Sequence, residues 1–98
     1  MKPQRIVSAK AIDDRTLMVK FTNLEIKKYE ISKLLDDPMF APLINPGFFR
    51  NFTIEPGGYA LVWNDEIDIS EYELWQNGIS CTDEEIERYI ESIHQVIH

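Results

Sequence analysis

The sequence predicts an α+β fold: two antiparallel β-meanders, short connecting helices, and a C-terminal amphipathic helix packed on the sheet. Apolar and polar residues alternate over 17–21, which is typical of a strand with one buried face. An apolar run over 59–63 leads into a polar turn, as in a β-hairpin. Isoleucines near the C-terminus recur at helical spacing. With 98 residues, 44% of them hydrophobic, we expect one domain over 1–98 with one core.

The first half of the chain predicts a three-stranded meander. Strands are expected over 4–12, 17–21 and 26–31. Asp13 and Asp14 mark the first turn, and residues 22–25 mark the second. Short strands joined by tight turns pair antiparallel.

The next stretch predicts two short helical turns and a fourth strand. Ser32 is a candidate cap for the first turn, and Asp37 followed by proline is a typical start for the second. We expect Asn45 and the Pro-Gly pair after it to end that turn. The aromatic-rich segment 49–55 is then predicted as a strand.

The second meander is predicted to be completed by a hairpin around Trp63. A Pro-Gly-Gly turn at 56–58 precedes the strand 59–63. Asn64 and Asp65 tolerate the left-handed backbone of a tight turn, so we expect the chain to reverse there. We expect Trp63 to lie in the core beside Phe21 and Phe49 rather than to serve as a ligand platform.

Two helices are predicted after residue 69, each with a capping box at its start. Ser70 with Glu73 forms the first, and Thr82 with Glu85 forms the second. The last helix carries an apolar stripe, which we expect to be buried either on this chain's sheet or against a twin helix. The stripe consists of Ile86, Ile90, Ile93 and Ile97.

Charge is distributed unevenly along the chain. The net charge is −7, and residues 51–98 hold eleven acids and one base, whereas residues 1–50 hold nine bases and six acids. This asymmetry is compatible with a solvated acidic surface or with an electrostatic partner. Overall acidity argues against duplex nucleic acid as a main partner. The alternative is a basic sheet face that contacts phosphate, with Tyr29 as a stacking platform. Its lysines would be Lys10, Lys20, Lys27, Lys28 and Lys33, although such lysines more often protect strand edges against pairing with other chains.

No set of residues in the sequence predicts catalysis, a cofactor or a metal. Five carboxylates lie within nine residues, but helix capping and strand position account for their spacing better than a metal does. They are Asp65, Glu66, Asp68, Glu71 and Glu73. His94 and His98 share one helical face without a third ligand. We therefore expect no enzyme, and an active site built on the acidic cluster is the weakest alternative.

Cysteine usage and hydropathy predict a cytoplasmic protein with no membrane segment. Cys81 is the single cysteine, so no internal disulfide can form, and we expect it to be a small buried hydrophobe. No apolar run approaches the ~18 residues that a membrane span requires.

The order of these motifs resembles a small bacterial family of unknown function, domain family 2442. The resemblance covers residues 3–76 and leaves 77–98 as a C-terminal helical extension. It rests on Leu17, Val19, Phe21, Glu25, Tyr29, Glu30, Ile31, Leu34, Leu35, Phe40, Leu43, Phe49, Trp63, Asp68, Ile69 and Leu74. The sequence departs from the family at Leu24, where glycine is usual, and at the Asn64-Asp65 turn.

The resemblance implies a small α+β domain without known catalytic residues. Members are sometimes fused to a helix-turn-helix domain or encoded beside another short protein, which has suggested toxin–antitoxin pairs. We therefore expect a non-enzymatic protein-interaction module, in a toxin–antitoxin-like or regulatory pair. Its partner is expected to be an unidentified protein or a second copy bound through the C-terminal helix.

Asp68 is the matching residue whose role is least explained by the fold. It lies between Ile67 and Ile69 on a predicted strand, where an apolar or neutral residue would suit a sheet better. We hypothesise that Asp68 ties the hairpin to the helix that starts at Ser70, with a basic residue from the first fifty as its partner. The competing interpretation makes Asp68 an exposed binding residue.

Overall fold

The structure is a computed structural model that describes the backbone of residues 4–97 and the side chains of residues 4–90. The predicted α+β class is confirmed. The described strands are β1 (Ile6–Ala11), β2 (Thr16–Phe21), β3 (Ile26–Glu30), β4 (Thr53–Ile54), β5 (Ala60–Val62), β6 (Asp68–Ser70) and β7 (Ile79–Ser80). The α-helices are α1 (Pro46–Arg50), α2 (Glu71–Asn77) and α3 (Asp83–Ile97), and two 3₁₀ helices span Leu34–Asp36 and Pro38–Ile44.

The larger sheet contains the predicted first meander and one strand that the sequence did not predict. Its order is β1-β2-β3-β7, and all neighbours are antiparallel. Leu17 in β2 lies opposite Ala11 in β1 and Tyr29 in β3. Strand β7 has only two residues, which pair with Lys27 and Lys28. It is too short to produce an alternating pattern in the sequence.

The smaller sheet has the order β4-β5-β6, but its first strand is shorter than predicted. Only Thr53–Ile54 forms β4, and part of the predicted strand 49–55 lies in α1 instead. The Asn45 side chain accepts bonds from the Gly47 and Phe48 amides at 2.9 and 3.2 Å. Asn45 ends the second 3₁₀ helix, as predicted, since its amide donates to the Pro42 carbonyl at 3.2 Å. It also begins α1, because an Asn acceptor followed by proline is a helix-start signal.

Three turns differ in detail from their prediction. Ser32 caps no helix: its hydroxyl donates to the Glu30 carboxylate. The Asn64 side chain accepts from the amides of Glu66 and Ile67, at 2.8 Å each, and so closes the hairpin without a left-handed residue. Leu24 has a φ of 73° and is the non-glycine residue with positive φ in the described part of the chain. Glycine, which is usual at this position in the family that the sequence resembles, adopts this conformation at lower cost.

The core is formed where the two sheets and α2 meet. Its fully buried members include Phe21, Phe49, Leu17, Ile31, Leu43, Leu61 and Leu74. Phe21 makes an edge-to-face contact with Trp75, with ring centroids 5.0 Å apart. The two sheets are linked by a bond of 2.9 Å from the Ile6 amide to the Gly58 carbonyl. A Cβ at Gly58 would lie 2.5 Å from the Ile6 carbonyl oxygen, so only glycine fits there without a shift of the backbone.

The capping boxes are present, the second of them in full. The Ser70 hydroxyl accepts from the Glu73 amide at 3.1 Å. Thr82 and Glu85 bond reciprocally: the Thr82 amide donates to the Glu85 carboxylate at 2.9 Å, and the Thr82 hydroxyl accepts from the Glu85 amide at 3.2 Å. These bonds satisfy backbone donors that a helix start otherwise leaves unpaired.

Helix α3 packs on the larger sheet through Tyr89 rather than through the whole predicted stripe. Tyr89 is buried against Met18 and Ile26, and Ile86 packs at the edge of this cluster. Ile90 is 46% exposed, so the first of the two expected arrangements, burial on this chain's sheet, is wrong for this residue. Burial against a twin helix stays a prediction. The helix turns Tyr89 inward, and the next residue along faces outward because successive residues differ by about 100°. The side chains of Ile93 and Ile97 lie outside the described residues, as do those of His94 and His98.

Candidate functional site

A groove of about 700 Å³ lies at the end of β3. The turn between β1 and β2, the first 3₁₀ helix, α2, β7 and the start of α3 surround it. We call it the β3 groove. Its lining consists of Ile12, Asp13, Thr16, Lys28, Tyr29, Glu30, Ser32, Lys33, Leu34, Glu73, Asn77, Ile79 and Glu85.

One side of the β3 groove is organised by Glu73. The Tyr29 hydroxyl and the Asn77 side-chain amide both donate to Glu73 Oε2, each at 2.8 Å. Tyr29 is only 6% exposed. Burial, together with the bond to Glu73, raises the pKa of the Tyr29 hydroxyl above its ordinary value of 10.0. The Tyr29 proton is therefore fixed on the hydroxyl across the physiological pH range.

The opposite side contains an ion pair between the sheet and α3. Lys28 Nζ lies 2.6 Å from Glu85 Oε2. The hydrogen bond from Lys28, with a further bond from the Thr82 amide, lowers the pKa of Glu85 to about 2. The same hydrogen bond to Glu85 raises the pKa of Lys28. Both groups are therefore charged near neutral pH, a state suited to recognition rather than to proton transfer.

The candidate interaction residues whose side chains the structure describes, Trp63, Asp68, Ile86 and Ile90, do not line the β3 groove. Residues of the alternative sites do line it: Lys28, Tyr29, Lys33 and Glu73. Trp63 lies in the core, as predicted, at 9% exposure. Its ring stacks on Phe49 at 6.3 Å, and its indole N–H donates to the Phe49 carbonyl at 2.8 Å. The aromatic partner of Phe21 is Trp75 instead. Ile86 and Ile90 lie on α3, outside the groove lining.

Asp68 does not have the structural role that we hypothesised. Its side chain is exposed on β6, and among the described residues it has no hydrogen bond or ion pair. Glu71 forms the expected link instead: Arg5 Nη1 lies 2.9 Å from Glu71 Oε1, and the Glu71 amide donates to the Tyr59 carbonyl at 2.8 Å. The Arg5 guanidinium also lies 4.2 Å from the centre of the Tyr59 ring. The predicted ion pair with a basic residue from the first fifty therefore exists, but it joins Arg5 to Glu71 rather than to Asp68.

The lysines of the predicted basic face are partly engaged within the fold. Lys27 Nζ donates to the Trp75 carbonyl at 2.7 Å and lies 3.9 Å from the Trp75 ring centre. Lys28 pairs with Glu85. Tyr29 is buried and bonded to Glu73, so it is no stacking platform for a base. Lys27, Lys28 and Tyr29, three residues of the phosphate-binding alternative, are therefore engaged within the fold.

The acidic residues and Cys81 show no convergence on a metal. Within residues 4–90, no group of three or more histidine, cysteine or acidic side chains could hold an ion. Cys81 is half-buried, and burial raises the pKa of its thiol, which disfavours a reactive thiolate.

Sequence reasoning missed the β3 groove because its key pair is distant along the chain. Tyr29 and Glu73 are 44 residues apart, and each had a sufficient local explanation, as a strand residue and as a helix cap. The sequence marked Tyr29 only as a possible stacking platform and as a position of the resemblance, and Glu30 only as a position of the resemblance.

Comparison with known proteins gives one match. A family model described as "Protein of unknown function (DUF2442)" matches residues 6–80. No curated protein and no solved structure matches. No described helix combines the length and the apolar character needed to cross a bilayer.

Proposed function

The chain belongs to the family described as "Protein of unknown function (DUF2442)", and from this starting point we propose that it is a non-enzymatic protein-interaction module. The observation that carries the proposal is the β3 groove, a concave surface at a sheet edge that the short strand β7 leaves open. Exposed strand edges are templates for pairing with another chain.

Two further features of the groove support recognition of a protein. Ile79 is 64% exposed at its rim and offers apolar contact area. Around it, the bonds of Tyr29 to Glu73 and of Lys28 to Glu85 hold the polar walls in one arrangement. A preorganised polar wall lowers the entropy that a partner must lose on binding.

The interaction is proposed to take place in the cytoplasm, with a second protein of a regulatory pair as the partner. A photo-crosslinking amino acid at position 79, in cells of the natural host, tests this directly. We expect a discrete crosslinked species that contains a second protein. The matched control is the same amino acid at Ile44, which is similarly exposed but does not line the groove. Equal crosslinking at both positions, or none at position 79, contradicts the proposal.

Self-association through α3 is a second form of the same function, favoured by the exposure of Ile90. A helix of this kind gains stability when its apolar residues are covered. We expect a dimer in analytical ultracentrifugation that Ile90→Asp converts to a folded monomer with a lower melting temperature, because the dimer stabilises the folded state. A monomeric parent protein at high concentration contradicts this form and leaves the groove proposal intact.

A further inference from the structure

We propose that the β3 groove binds a short extended segment of a partner protein, which pairs with the backbone of Glu30 and places an arginine or lysine among the groove's carboxylates. This inference rests on the proposed function and specifies the chemistry of the partner. The argument has three steps: the direction of the β3 backbone, the charge of the groove, and its apolar rim.

The backbone of β3 presents a free pairing position at Glu30. The Ile31 amide donates to the Arg15 carbonyl at 2.9 Å, toward β2. Backbone groups of successive strand residues point to opposite sides, so those of Glu30 point away from β2. Ile26 lies four residues before Glu30 on β3, so its backbone groups point to the same side. Its carbonyl accepts from the Cys81 amide, on the side away from β2.

Strand β7 covers this side of β3 only as far as Lys28. Ile79 pairs with Lys28, and before Ile79 the chain belongs to α2 and its end at Gly78. The N–H and C=O of Glu30 therefore face the groove that Glu30 lines. An extended segment in line with β7 could accept a hydrogen bond from the Glu30 N–H and donate one to the Glu30 C=O, as in β-strand addition.

The charge of the groove selects a basic side chain for that segment. Four carboxylates and two lysines line it: Asp13, Glu30, Glu73, Glu85, Lys28 and Lys33. Lys28 is already paired with Glu85. Both donors to Glu73 meet Oε2, which leaves Oε1 available to a further donor. A guanidinium or ammonium group bound to one of these carboxylates would offset part of the excess negative charge.

The rim of the groove supplies apolar contacts at positions that suit alternating side chains. Ile12, Leu34 and Ile79 line it, and Ile12 and Ile79 are exposed. Neighbouring side chains of an extended segment point to opposite faces. Side chains on one face of the bound segment can therefore contact Ile12 and Ile79, while a basic side chain on the other face reaches the carboxylates of the groove.

Selection from a display library of random dodecapeptides on the immobilised full chain tests the inference. We expect the enriched peptides to share a basic residue flanked by β-branched or apolar residues. Their affinity should fall about tenfold for Glu30→Lys and less for Glu30→Gln, and it should fall with added salt. The matched control is Glu66→Lys, an exposed acid in the β5–β6 turn outside the groove, which should bind like the parent.

Amide spectra of the labelled protein give a readout that a structural effect would not imitate. On adding an enriched peptide, we expect the Glu30 amide proton to shift downfield and to exchange more slowly. Thermal melting of each variant checks that the fold is intact, and Glu30→Gln serves if the charge reversal unfolds the chain.

Three outcomes separate this inference from the proposed function. Enriched peptides that bind Glu30→Lys as well as the parent overturn the inference and place recognition elsewhere. Enriched peptides without a basic residue overturn the charge argument. If no peptide is enriched, the extended-segment inference is overturned, while crosslinking at position 79 still decides whether the module binds a protein at all.

Discussion

The hydroxyl of Tyr29 in β3 donates a bond of 2.8 Å to Glu73 in α2 and so joins the larger sheet to the helix behind it. The Tyr29 residue is almost fully buried, and the bond itself is part-buried at the wall of the β3 groove. It also fixes Glu73 beside Asn77, the arrangement on which the β3 groove depends.

Replacing Tyr29 by phenylalanine should destabilise the protein by about 1.5–3 kcal/mol, the usual range for a hydrogen bond to a charged group. Urea unfolding followed by circular dichroism measures this loss. Tyr72→Phe is the matched control, since Tyr72 is exposed on α2 and has no partner among the described residues. Equal effects of the two variants would contradict a special role for Tyr29.

The same tyrosine should make the fold sensitive to alkali. Its pKa is raised in the folded state, so its contribution is complete below the ordinary value of 10.0 and is lost as the pH rises above it. We expect the parent to lose more stability than Tyr29→Phe between about pH 8 and about pH 11. Parallel stability curves for the two proteins would rule out this coupling.

Glu85 should make the fold sensitive to acid. Its pKa is lowered to about 2 from an ordinary value of 4.5, chiefly by the hydrogen bond from Lys28. The contribution of Glu85 is therefore present above pH 4.5 and is lost as the pH falls toward 2. Glu85→Gln should flatten the stability profile in this interval, whereas Glu87→Gln, an exposed change on the same helix, should not. If Glu85→Gln leaves the dependence of stability on pH unchanged in this interval, the predicted role of Glu85 is contradicted.

Leu24→Gly should stabilise the protein, because Leu24 has a φ of 73° and an exposed side chain that contributes little packing. Removing the side chain from a residue in the left-handed conformation raises the free energy of unfolding by about 1–2 kcal/mol. The added freedom of glycine in the unfolded chain offsets about 0.5–1 kcal/mol of that gain. Leu24→Ala retains the Cβ and should show no gain. A lower melting temperature for Leu24→Gly than for Leu24→Ala would contradict the prediction.

Trp63→Phe should cost about 1–3 kcal/mol, since it keeps an aromatic ring but leaves the buried Phe49 carbonyl without its donor. Trp63→Ala should cost about 3–5 kcal/mol through loss of packing. In a Trp75→Phe background, native emission should be blue-shifted and should move to the red on unfolding. Free quenching of Trp63 by iodide in the native state would show that it is not in the core.

Asp68 and Glu71 should respond differently to loss of charge. Asp68→Asn should change stability by no more than about 0.5 kcal/mol, because the side chain is exposed and unpaired among the described residues. Glu71→Gln should cost about 1 kcal/mol by weakening the partly buried pair with Arg5. The opposite ranking would restore the structural role that the sequence suggested for Asp68.

The sequence by itself determined the elements whose signals are local. Alternation over 17–21 identified β2, and the Thr82–Glu85 pattern identified the start of α3, because each depends on residues within a few positions of one another. The sequence also indicated that Trp63 is buried. It correctly indicated the end of the second 3₁₀ helix at Asn45 but missed α1 directly after it, because the stop and start signals overlap in Asn-Pro-Gly.

Only the tertiary structure decided the β3 groove and the partners of the charged residues. Tyr29 meets Glu73 across 44 residues, Lys28 meets Glu85 across 57, and Arg5 meets Glu71 across 66. No local pattern distinguishes Glu71 from Asp68 as the partner of Arg5, since both are acids near the start of α2. The choice depends on the packing of the two sheets and on the rotation of α2, which places Glu71 beside Arg5 and leaves Asp68 in solvent.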